Sequence, residues 1–183
     1  PPPPIGRLHG LTLVEFLVVL AIVSILAAIA TPSFLRQIER SRLESAAEAM
    51  YQVFRQARVA NVRHSRDVYV LVDTGTNWKV WVSPESTCAN RVPTEPCLLE
   101  NIKLTSDDHA NLSLSVSPGS LQTVTVDYRT GRYVDNANPT NTLPLTFTLT
   151  SASGSQLTVQ AMPSGQIRLC DPGAGTTTRY PSC

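Results

Sequence analysis

A run of twenty mostly apolar residues with a single carboxylate inside it most constrains what this chain can fold into. Between Leu11 and Ala30 the only polar residues are Thr12, Glu15 and Ser24. As a helix rising ~1.5 Å per residue, the run would be roughly 30 Å long, which is the hydrocarbon thickness of a bilayer. A carboxylate at bilayer depth costs on the order of 2–3 kcal/mol. We therefore expect a membrane-spanning helix in which Glu15 has a partner.

The sequence predicts that this helix continues far beyond the apolar run. Pro32 removes a helical hydrogen bond, which predicts a kink at that position. Further on, apolar residues recur at spacings of three and four, the pattern of one buried helical face. They are Leu43, Ala46, Ala47, Met50, Phe54, Ala57 and Ala60. The helix would end near His64 and would be too long for a globular domain, so its first half must be buried in something else.

After Arg66 the apolar period changes from about 3.6 residues to two, which predicts β-strands. The alternating segments are 67–73, 78–83, 111–116, 121–128, 143–150, 156–162 and 166–170, with glycine- or proline-containing turns between most of them. The predicted fold class is α+β, with a long N-terminal helix packed on an antiparallel β-domain. Trp78 and Trp81 are three residues apart in one strand, so we expect one in the core and the other half exposed.

The cysteines favour disulfides formed in an oxidising compartment. All four lie beyond the apolar run, at Cys88, Cys97, Cys170 and Cys183. Their even number and position suit two disulfides, and four reduced core thiols are the alternative. Neither spacing resembles a C-x-x-C metal or redox motif. The segment Pro84–Glu100 is predicted to be a long irregular loop, which a local bridge would stabilise by about 2–3 kcal/mol.

The sequence contains no motif that indicates catalysis. It has no nucleophile elbow, no phosphate-binding glycine loop and no H-E-x-x-H pattern. Asp107, Asp108 and His109 could bind a metal, but adjacent residues rarely converge on one ion, and a polar turn is the simpler interpretation. The formal net charge of +1 does not steer the whole molecule toward nucleic acid. We expect no catalytic residue, no cofactor and no metal site.

The N-terminus allows three interpretations. A secretory signal peptide could be cleaved after "AIA" at residues 28–30, but its apolar region is usually about 7–15 residues and would not include Glu15. A plain single-span anchor explains the length and leaves Glu15 without a partner. The third interpretation rests on "GLTLVEF", an unbroken apolar run and then Pro32. This combination resembles the signature of type IV prepilins.

The resemblance assigns a role to each part of the N-terminal half. Residues 1–10 would be a leader removed after Gly10 by prepilin peptidase, and the new N-terminus at Leu11 would be methylated, although the family most often has Phe there. Residues 11–31 would form the transmembrane and filament-core helix, and residues 32–66 its amphipathic half, kinked at Pro32. The resemblance also implies that Glu15 pairs with the N-terminal ammonium of a neighbouring subunit. At ~4 Å and an effective dielectric of about 20, such a pair gains about 4 kcal/mol.

Two later stretches resemble the GspH/FimT/FimU group of minor pilins and pseudopilins. The stretch "SRLESAAEAMYQVFRQARVANVRHSRDVYVLV" keeps Ala57–Arg58 and Arg63 of that group's pattern, and "SGQIRLC" resembles its final strand. Residues 67–183 would then be an antiparallel β-domain with a C-terminal disulfide loop, as in pilins. Of the three possible pairings, we favour Cys88–Cys97 with Cys170–Cys183 because both close short local loops. The other two pairings stay open.

The family resemblance implies a structural function. The chain would be a minor pilin that helps to initiate or cap a type IV pilus and docks through its hydrophobic helix. A type II secretion pseudopilin of the GspH type is the alternative. Partners would be other minor and major pilins or pseudopilins, prepilin peptidase and the bacterial inner membrane. The chain would cross that membrane once, with its C-terminal domain in the periplasm, and then enter the filament.

Capture of double-stranded DNA in natural transformation is a further alternative. Members of the FimT group are implicated in DNA uptake through basic residues near the C-terminal end. The candidates are Arg129, Arg132, Arg168 and Arg179, with Tyr180 as a stacking platform. An ordinary solubilising surface is the simpler interpretation, because the tail after Cys170 carries one arginine.

Overall fold

The computed structural model describes residues 12–88, 93–94, 96–119, 122–140, 143–173 and 179–183, without the side chains of residues 29–33. Gly10, Leu11 and the side chain of Pro32, all named in the processing and kink predictions, lie outside the described residues. The chain divides into two compact units, Pro1–Ile38 and Glu39–Cys183.

One long helix and nine strands make up the regular structure of the described residues, apart from a 3₁₀ turn at Ser106–Asp108. The elements are α1 (Leu13–His64), β1 (Val68–Asp73), β2 (Lys79–Ser83), β3 (Lys103–Thr105), β4 (Leu112–Ser117), β5 (Thr123–Val126), β6 (Tyr133–Asp135), β7 (Leu145–Ser151), β8 (Gln156–Ala161) and β9 (Ile167–Cys170). The predicted α+β class is confirmed. Each of the seven predicted strands is present, with both ends within two residues of the prediction, whereas β3 and β6 were not predicted.

The first turn of α1 is capped by its own sequence. The Thr12 Oγ1 atom accepts a hydrogen bond from the Glu15 N–H at 3.2 Å, which makes Thr12 the N-cap and Glu15 the third residue of the helix. Ser24 donates its hydroxyl to the Leu20 carbonyl at 2.7 Å, so this polar group is satisfied within the helix. Within the described residues, no helix combines the length and the apolar character needed to span a bilayer.

In the second unit, the predicted apolar stripe of α1 lies in the core. All seven of its residues are at most 2% exposed. The Phe54 ring lies 5.9 Å from that of Tyr133 and 4.7 Å from that of Phe147, measured between ring centroids. Since Tyr133 belongs to β6 and Phe147 to β7, this face of α1 contacts both sheets.

The strands form two antiparallel sheets. The five-stranded sheet has the order β3-β2-β1-β5-β6, and the four-stranded sheet has the order β4-β7-β8-β9. Along β7 the residues alternate strictly between buried and half-buried, as a half-buried strand requires. An isolated bridge between Gly75 and Leu114 joins the two sheets near the start of β4. In the order of the four-stranded sheet, β9 comes last, so it is an edge strand.

The prediction that one tryptophan is half exposed is wrong, since both are fully buried. Trp78 lies in the main core and donates its indole N–H to the Leu112 carbonyl at 3.1 Å. Trp81 faces the other side of the sheet, where it packs in a separate cluster with Leu71, Cys88 and Leu98. Cys88, Cys97 and Leu98 therefore cover a sheet face that the strand pattern alone leaves to solvent.

A buried amide fixes the end of α1. Asn61 is 1% exposed, and its Nδ2 donates to the Arg66 carbonyl at 2.9 Å and to the Val126 carbonyl at 2.7 Å. Ser65 adopts a left-handed conformation with φ of 50°, which ends the helix. The amide therefore ties the end of α1 both to the following turn and to β5.

Candidate assembly surface

Glu15 lies in the first turn of α1, on an exposed and mostly apolar part of the helix. The partial positive charge of a helix N-terminus stabilises a carboxylate there by about 0.3–1 kcal/mol. Glu15 thus has a local role at the start of the helix in addition to the predicted pairing with a neighbouring subunit. The signal for this role in the sequence is T-x-x-E immediately before an apolar run, a capping-box pattern that was not part of the predictions above.

Two disulfides join Cys88 to Cys97 and Cys170 to Cys183, with Cα–Cα distances of 5.8 and 5.1 Å. This is the pairing favoured on the length of the loops. The second disulfide returns the end of the chain to β9. There the Asp171 N–H donates to the Pro181 carbonyl at 2.8 Å, and the Cys183 N–H donates to the Asp171 carbonyl at 3.0 Å. The tail thus forms a short parallel bridge just beyond β9.

Side-chain contacts also hold the tail against α1. The Arg179 guanidinium donates to Glu44 at 3.1 Å and to Glu48 at 3.4 Å. The Tyr180 hydroxyl donates to the same Glu48 oxygen at 2.9 Å. Burial, followed by the hydrogen bond to Glu48, raises the pKa of Tyr180 to about 12. Arg179, predicted as a phosphate contact, is therefore engaged with two carboxylates of its own chain.

The other three predicted DNA contacts have different surroundings. Arg129 and Arg132 lie in the turn between β5 and β6, where the Arg129 guanidinium is 5.8 Å from the centroid of the Tyr128 ring. Arg132 Nε donates to the Pro163 carbonyl at 2.9 Å, so it reaches the turn between β8 and β9. Arg168 is exposed on β9. The structure thus brings Arg132 to the turn that precedes the strand of Arg168, whereas Arg179 lies in the tail, against Glu44 and Glu48 of α1.

Arg58, one of the residues that carry the family resemblance, is held between two turns. Its Nη1 donates to the Gly165 carbonyl in the β8–β9 turn. A Cβ at Gly131, in the β5–β6 turn, would lie only 2.8 Å from Arg58 Nη2, and a Cβ at Gly165 would lie 3.2 Å from Nη1. The two turns therefore need glycine to approach the guanidinium. The glycines of "RTGR" and "PSGQ" marked turns in the sequence, but nothing local indicates that both meet Arg58.

A groove of about 640 Å³ opens beside Arg58, between α1 and the start of β9. Its lining residues are Tyr51, Arg55, Arg58, Val59, Val62, Arg63, Gly165 and Ile167. Val59 is 55% exposed and Val62 is 69% exposed. Arg63 pairs with Glu100 at 2.8 Å, and the Arg55 guanidinium lies 5.9 Å from the centroid of the Tyr51 ring. The groove is therefore both apolar and cationic.

The acidic turn near residue 108 shows no geometry of a metal site. His109 stacks on Trp78 with ring centroids 6.3 Å apart, and burial lowers its pKa despite the opposing effect of Asp108. Thr105 donates its hydroxyl to Asp108 at 3.2 Å. Among the residues that the structure describes, no group of three or more His, Cys, Asp and Glu side chains is placed to hold a metal ion.

Comparison with known proteins gives one sequence match and a set of structural matches. Residues 7–31 match the family described as the prokaryotic N-terminal methylation motif. The fold is similar to that of the type IV minor pilin FimU of Pseudomonas aeruginosa, with a TM-score of 0.52 and 17% identity over 72% of this chain and 90% of FimU. It is also similar to the minor pseudopilin EpsH from the Type 2 Secretion System of Vibrio cholerae, with a TM-score of 0.50 and 18% identity over 72% of this chain and 98% of EpsH. No curated protein sequence matches the chain significantly.

The motif and the fold are independent findings that agree. The structural likeness shows a pilin-like fold, and the motif adds the N-terminus of a prepilin. Together they agree with the sequence resemblance in two respects, a prepilin-type N-terminus and a pilin-like fold.

Proposed function

We propose that this type IV pilin-like protein is a minor pilin that helps to initiate or cap a type IV pilus, entering the filament through the first part of α1. The observation that carries the proposal is the methylation motif at residues 7–31, joined to a helix whose large apolar side chains from Leu13 to Leu26 are 46% to 76% exposed. Full burial of each such side chain gains about 1.5–3 kcal/mol. The segment therefore needs an apolar environment, which neighbouring helices of a filament would provide.

Before assembly, the same segment would hold the protein in the bacterial inner membrane. The span over residues 11–31 is a prediction from the sequence, and it belongs to the proposal. The two disulfides support a periplasmic location for the β-domain, since disulfides persist in that compartment. Removal of the leader after Gly10 by prepilin peptidase would release the segment for assembly.

Glu15 would set the register of docking. Cleavage leaves an ammonium group on Leu11, and a carboxylate buried beside an apolar filament core is costly unless it is paired. Pairing Glu15 with the Leu11 ammonium of a neighbour neutralises both charges. A subunit out of register would bury each of them alone.

Two substitutions separate this docking role from the helix-capping role. We expect Glu15→Gln to enter filaments poorly, because Gln keeps the shape and the helix propensity and loses the charge. The matched control is Thr12→Ala, which removes the N-cap at a cost of about 0.5–2 kcal/mol and keeps the carboxylate. The measurement is the fraction of each protein recovered in sheared filaments, set against its amount in the membrane. Entry of Glu15→Gln at the wild-type level would refute the docking role.

The intact mass of protein isolated from its native membrane tests the processing step. We expect a chain that begins with methylated Leu11 and has four oxidised cysteines. A chain that begins at Thr31 would indicate signal-peptidase cleavage after Ala30, and the filament proposal would then be wrong.

The second candidate is a type II secretion pseudopilin of the GspH type, favoured by the similarity to EpsH at nearly the same TM-score as FimU. Deletion of the gene separates the two machines. Loss of surface pili with normal protein secretion supports the pilus, and the reverse result supports the secretion system.

DNA capture receives less support from the arrangement of the arginines. Arg179 would have to give up ion pairs with Glu44 and Glu48 before it could bind a phosphate. Binding of double-stranded DNA that weakens when Arg168 and Arg129 are both replaced by Ala, and whose affinity falls with salt, would restore this candidate. The matched control is replacement of Lys79 and Lys103 by Ala, which removes equal charge from other strands.

A further inference from the structure

The backbone of β9 has one side paired with β8 and one side facing away from it. Arg168 pairs with Gln160 of β8, and the Gln166 carbonyl accepts the Met162 N–H at 2.8 Å across the preceding turn. Asp171, by contrast, uses its N–H and its carbonyl for the tail. The direction of the backbone hydrogen bonds alternates along a strand. The backbone N–H and C=O groups of even-numbered residues of β9 therefore point toward β8, and those of odd-numbered residues point away from it.

Among the described residues, this alternation gives two residues of β9 outward backbone groups without a hydrogen-bond partner. Ile167 and Leu169 face outward like Asp171, whose groups the tail occupies. Within the described part of the chain, no hydrogen bond reaches the outward N–H or carbonyl of Ile167 or Leu169. An unpaired strand edge of this kind is a template for another extended chain.

Two neighbouring cavities lie beside this edge. A second cavity of about 420 Å³ is lined by Glu48, Tyr51, Gln52, Ile167 and Leu169. It shares Tyr51 and Ile167 with the 640 Å³ groove that reaches Val59 and Val62. We call the two together the β9 channel. The strand edge and the exposed valines therefore line two adjacent cavities that meet at Tyr51 and Ile167.

The charges along the β9 channel favour an acidic occupant. Arg55 is exposed, and in the described residues no carboxylate pairs with its guanidinium. Arg58 is fixed by the Gly165 carbonyl, which places a second guanidinium beside the same lining. Glu48, the acidic residue of the lining, is already bound by Arg179 and Tyr180. The free charge in the channel is thus positive.

We infer that the β9 channel binds an extended, acidic segment of a neighbouring pilin-like subunit, which adds as a strand to β9 at Ile167 and Leu169. The backbone of the added segment bonds to the open edge, its apolar side chains cover Val59 and Val62, and a carboxylate meets Arg55. The tail at Asp171 shows that this edge accepts an extended chain. A nucleic acid has no peptide groups to continue the ladder and would leave the valines exposed. The inference rests on the proposed assembly function, because it assigns the neighbour to a subunit.

Short peptides test the channel without a filament. The probe is acetyl-Val-Glu-Val-Glu-Val-amide, and the matched control peptides replace both Glu by Lys or the central Val by Pro. The full chain in detergent micelles is exposed to each peptide, and hydrogen exchange is read at the amides of residues 167 and 169. We expect the acidic peptide to slow exchange at both amides by about tenfold or more and the control peptides to leave it unchanged.

Substitutions then assign the binding to the edge and to the charge. Leu169→Pro removes an outward N–H without touching the ladder to β8, so it should abolish binding. Arg55→Glu should reverse the preference toward the Lys peptide, and it keeps the test valid if Leu169→Pro does not fold. Arg168→Glu, which changes charge on the same strand but does not line the groove beside Arg55, should bind the acidic peptide normally.

Three results would overturn the inference. They are no protection by the acidic peptide, equal protection by the Lys peptide, and protection without peptide that disappears on dilution, which would indicate a second copy of this chain. None of them affects the Glu15→Gln test, so failure of the channel and failure of the assembly function are distinguishable.

Discussion

Gly165 is the residue at which a single added methyl group tests the packing around Arg58 most directly. Gly165 has a φ of +83°, and a Cβ there would overlap the carbonyl oxygen of Gly131 and lie 3.2 Å from Arg58 Nη1. A carbonyl in a tight turn cannot rotate away as a flexible side chain can. Gly165→Ala must therefore push the β8–β9 turn away from the β5–β6 turn.

Gly154 provides a matched control for the magnitude. It has nearly the same φ, +85°, and nothing lies within 4 Å of its Cβ position. Both alanine variants lose about 1–2 kcal/mol for the left-handed conformation. Gly165→Ala loses about 1–3 kcal/mol more for the overlap. At about 2–4 °C per kcal/mol for a chain of this size, the two midpoints should differ by roughly 2–12 °C.

Thermal unfolding of the full chain in detergent micelles, with both disulfides intact, measures this difference. The wild-type chain and both variants are compared under one condition, so that the micelle contributes equally to all three. Equal losses in Gly165→Ala and Gly154→Ala would refute the reasoning, since the φ penalty alone would then explain both. It would also mean that the two turns do not confine Arg58.

Three further predictions concern the end of α1, the tail and the β5–β6 turn. Asn61→Ala should lower the free energy of unfolding by about 1–3 kcal/mol for each of the two carbonyls that lose the amide donor. Denaturant melts measure this loss. A total loss below about 1 kcal/mol would contradict the buried double hydrogen bond. Spectroscopic titration should find two tyrosine signals with a pKa of about 12, those of Tyr133 and Tyr180. One of the two should be absent in Tyr180→Phe and should move down in Glu48→Gln, because burial and then the hydrogen bond and charge of Glu48 raise the pKa of Tyr180. Asp127→Asn should be less stable than the wild type at pH ~7, because hydrogen bonds from Thr130 lower the pKa of the Asp127 carboxyl in the folded state. The difference in stability should shrink as the pH falls below 3.8, the ordinary pKa of this carboxyl, since protonation removes the advantage. A difference that is the same in melts at pH ~7 and ~2 would contradict this assignment.

Periodicity gave the larger elements because it reports burial directly. The stripe from Leu43 to Ala60 in α1 and the alternation in β7 are patterns that one buried face imposes on the residues along it. The strands β3 and β6 were missed because three residues are too few to show a period of two. Trp81 was misjudged because the side chains that cover it, Leu98 and the Cys88–Cys97 disulfide, lie outside its own strand.

The candidate assembly surface was much less predictable than the fold. Arg58 and Gly165 are 107 residues apart in the chain, and Arg179 and Glu44 are 135 apart. Each arginine is an ordinary surface cation when judged from its neighbours in sequence. Only the fold shows that Arg58 is confined by two glycine turns and that Arg179 is already paired with carboxylates of α1. The sequence shows which residues carry a positive charge, but it cannot show which of these charges are already paired with a carboxylate in the fold.

The constraints at the two ends of the β9 channel explain how so short an edge could bind a partner. At one end the Cys170–Cys183 disulfide and the contacts of Arg179 with α1 fix the tail, and at the other end Arg58 fixes the β8–β9 turn. Ordering these segments would otherwise oppose binding, because each immobilised side chain costs about 0.5–1.5 kcal/mol. With both ends already fixed, an added strand needs to order only itself. The channel should therefore lose affinity when either end is released, even though neither Arg58→Ala nor reduction of the disulfide removes the open backbone groups of Ile167 and Leu169.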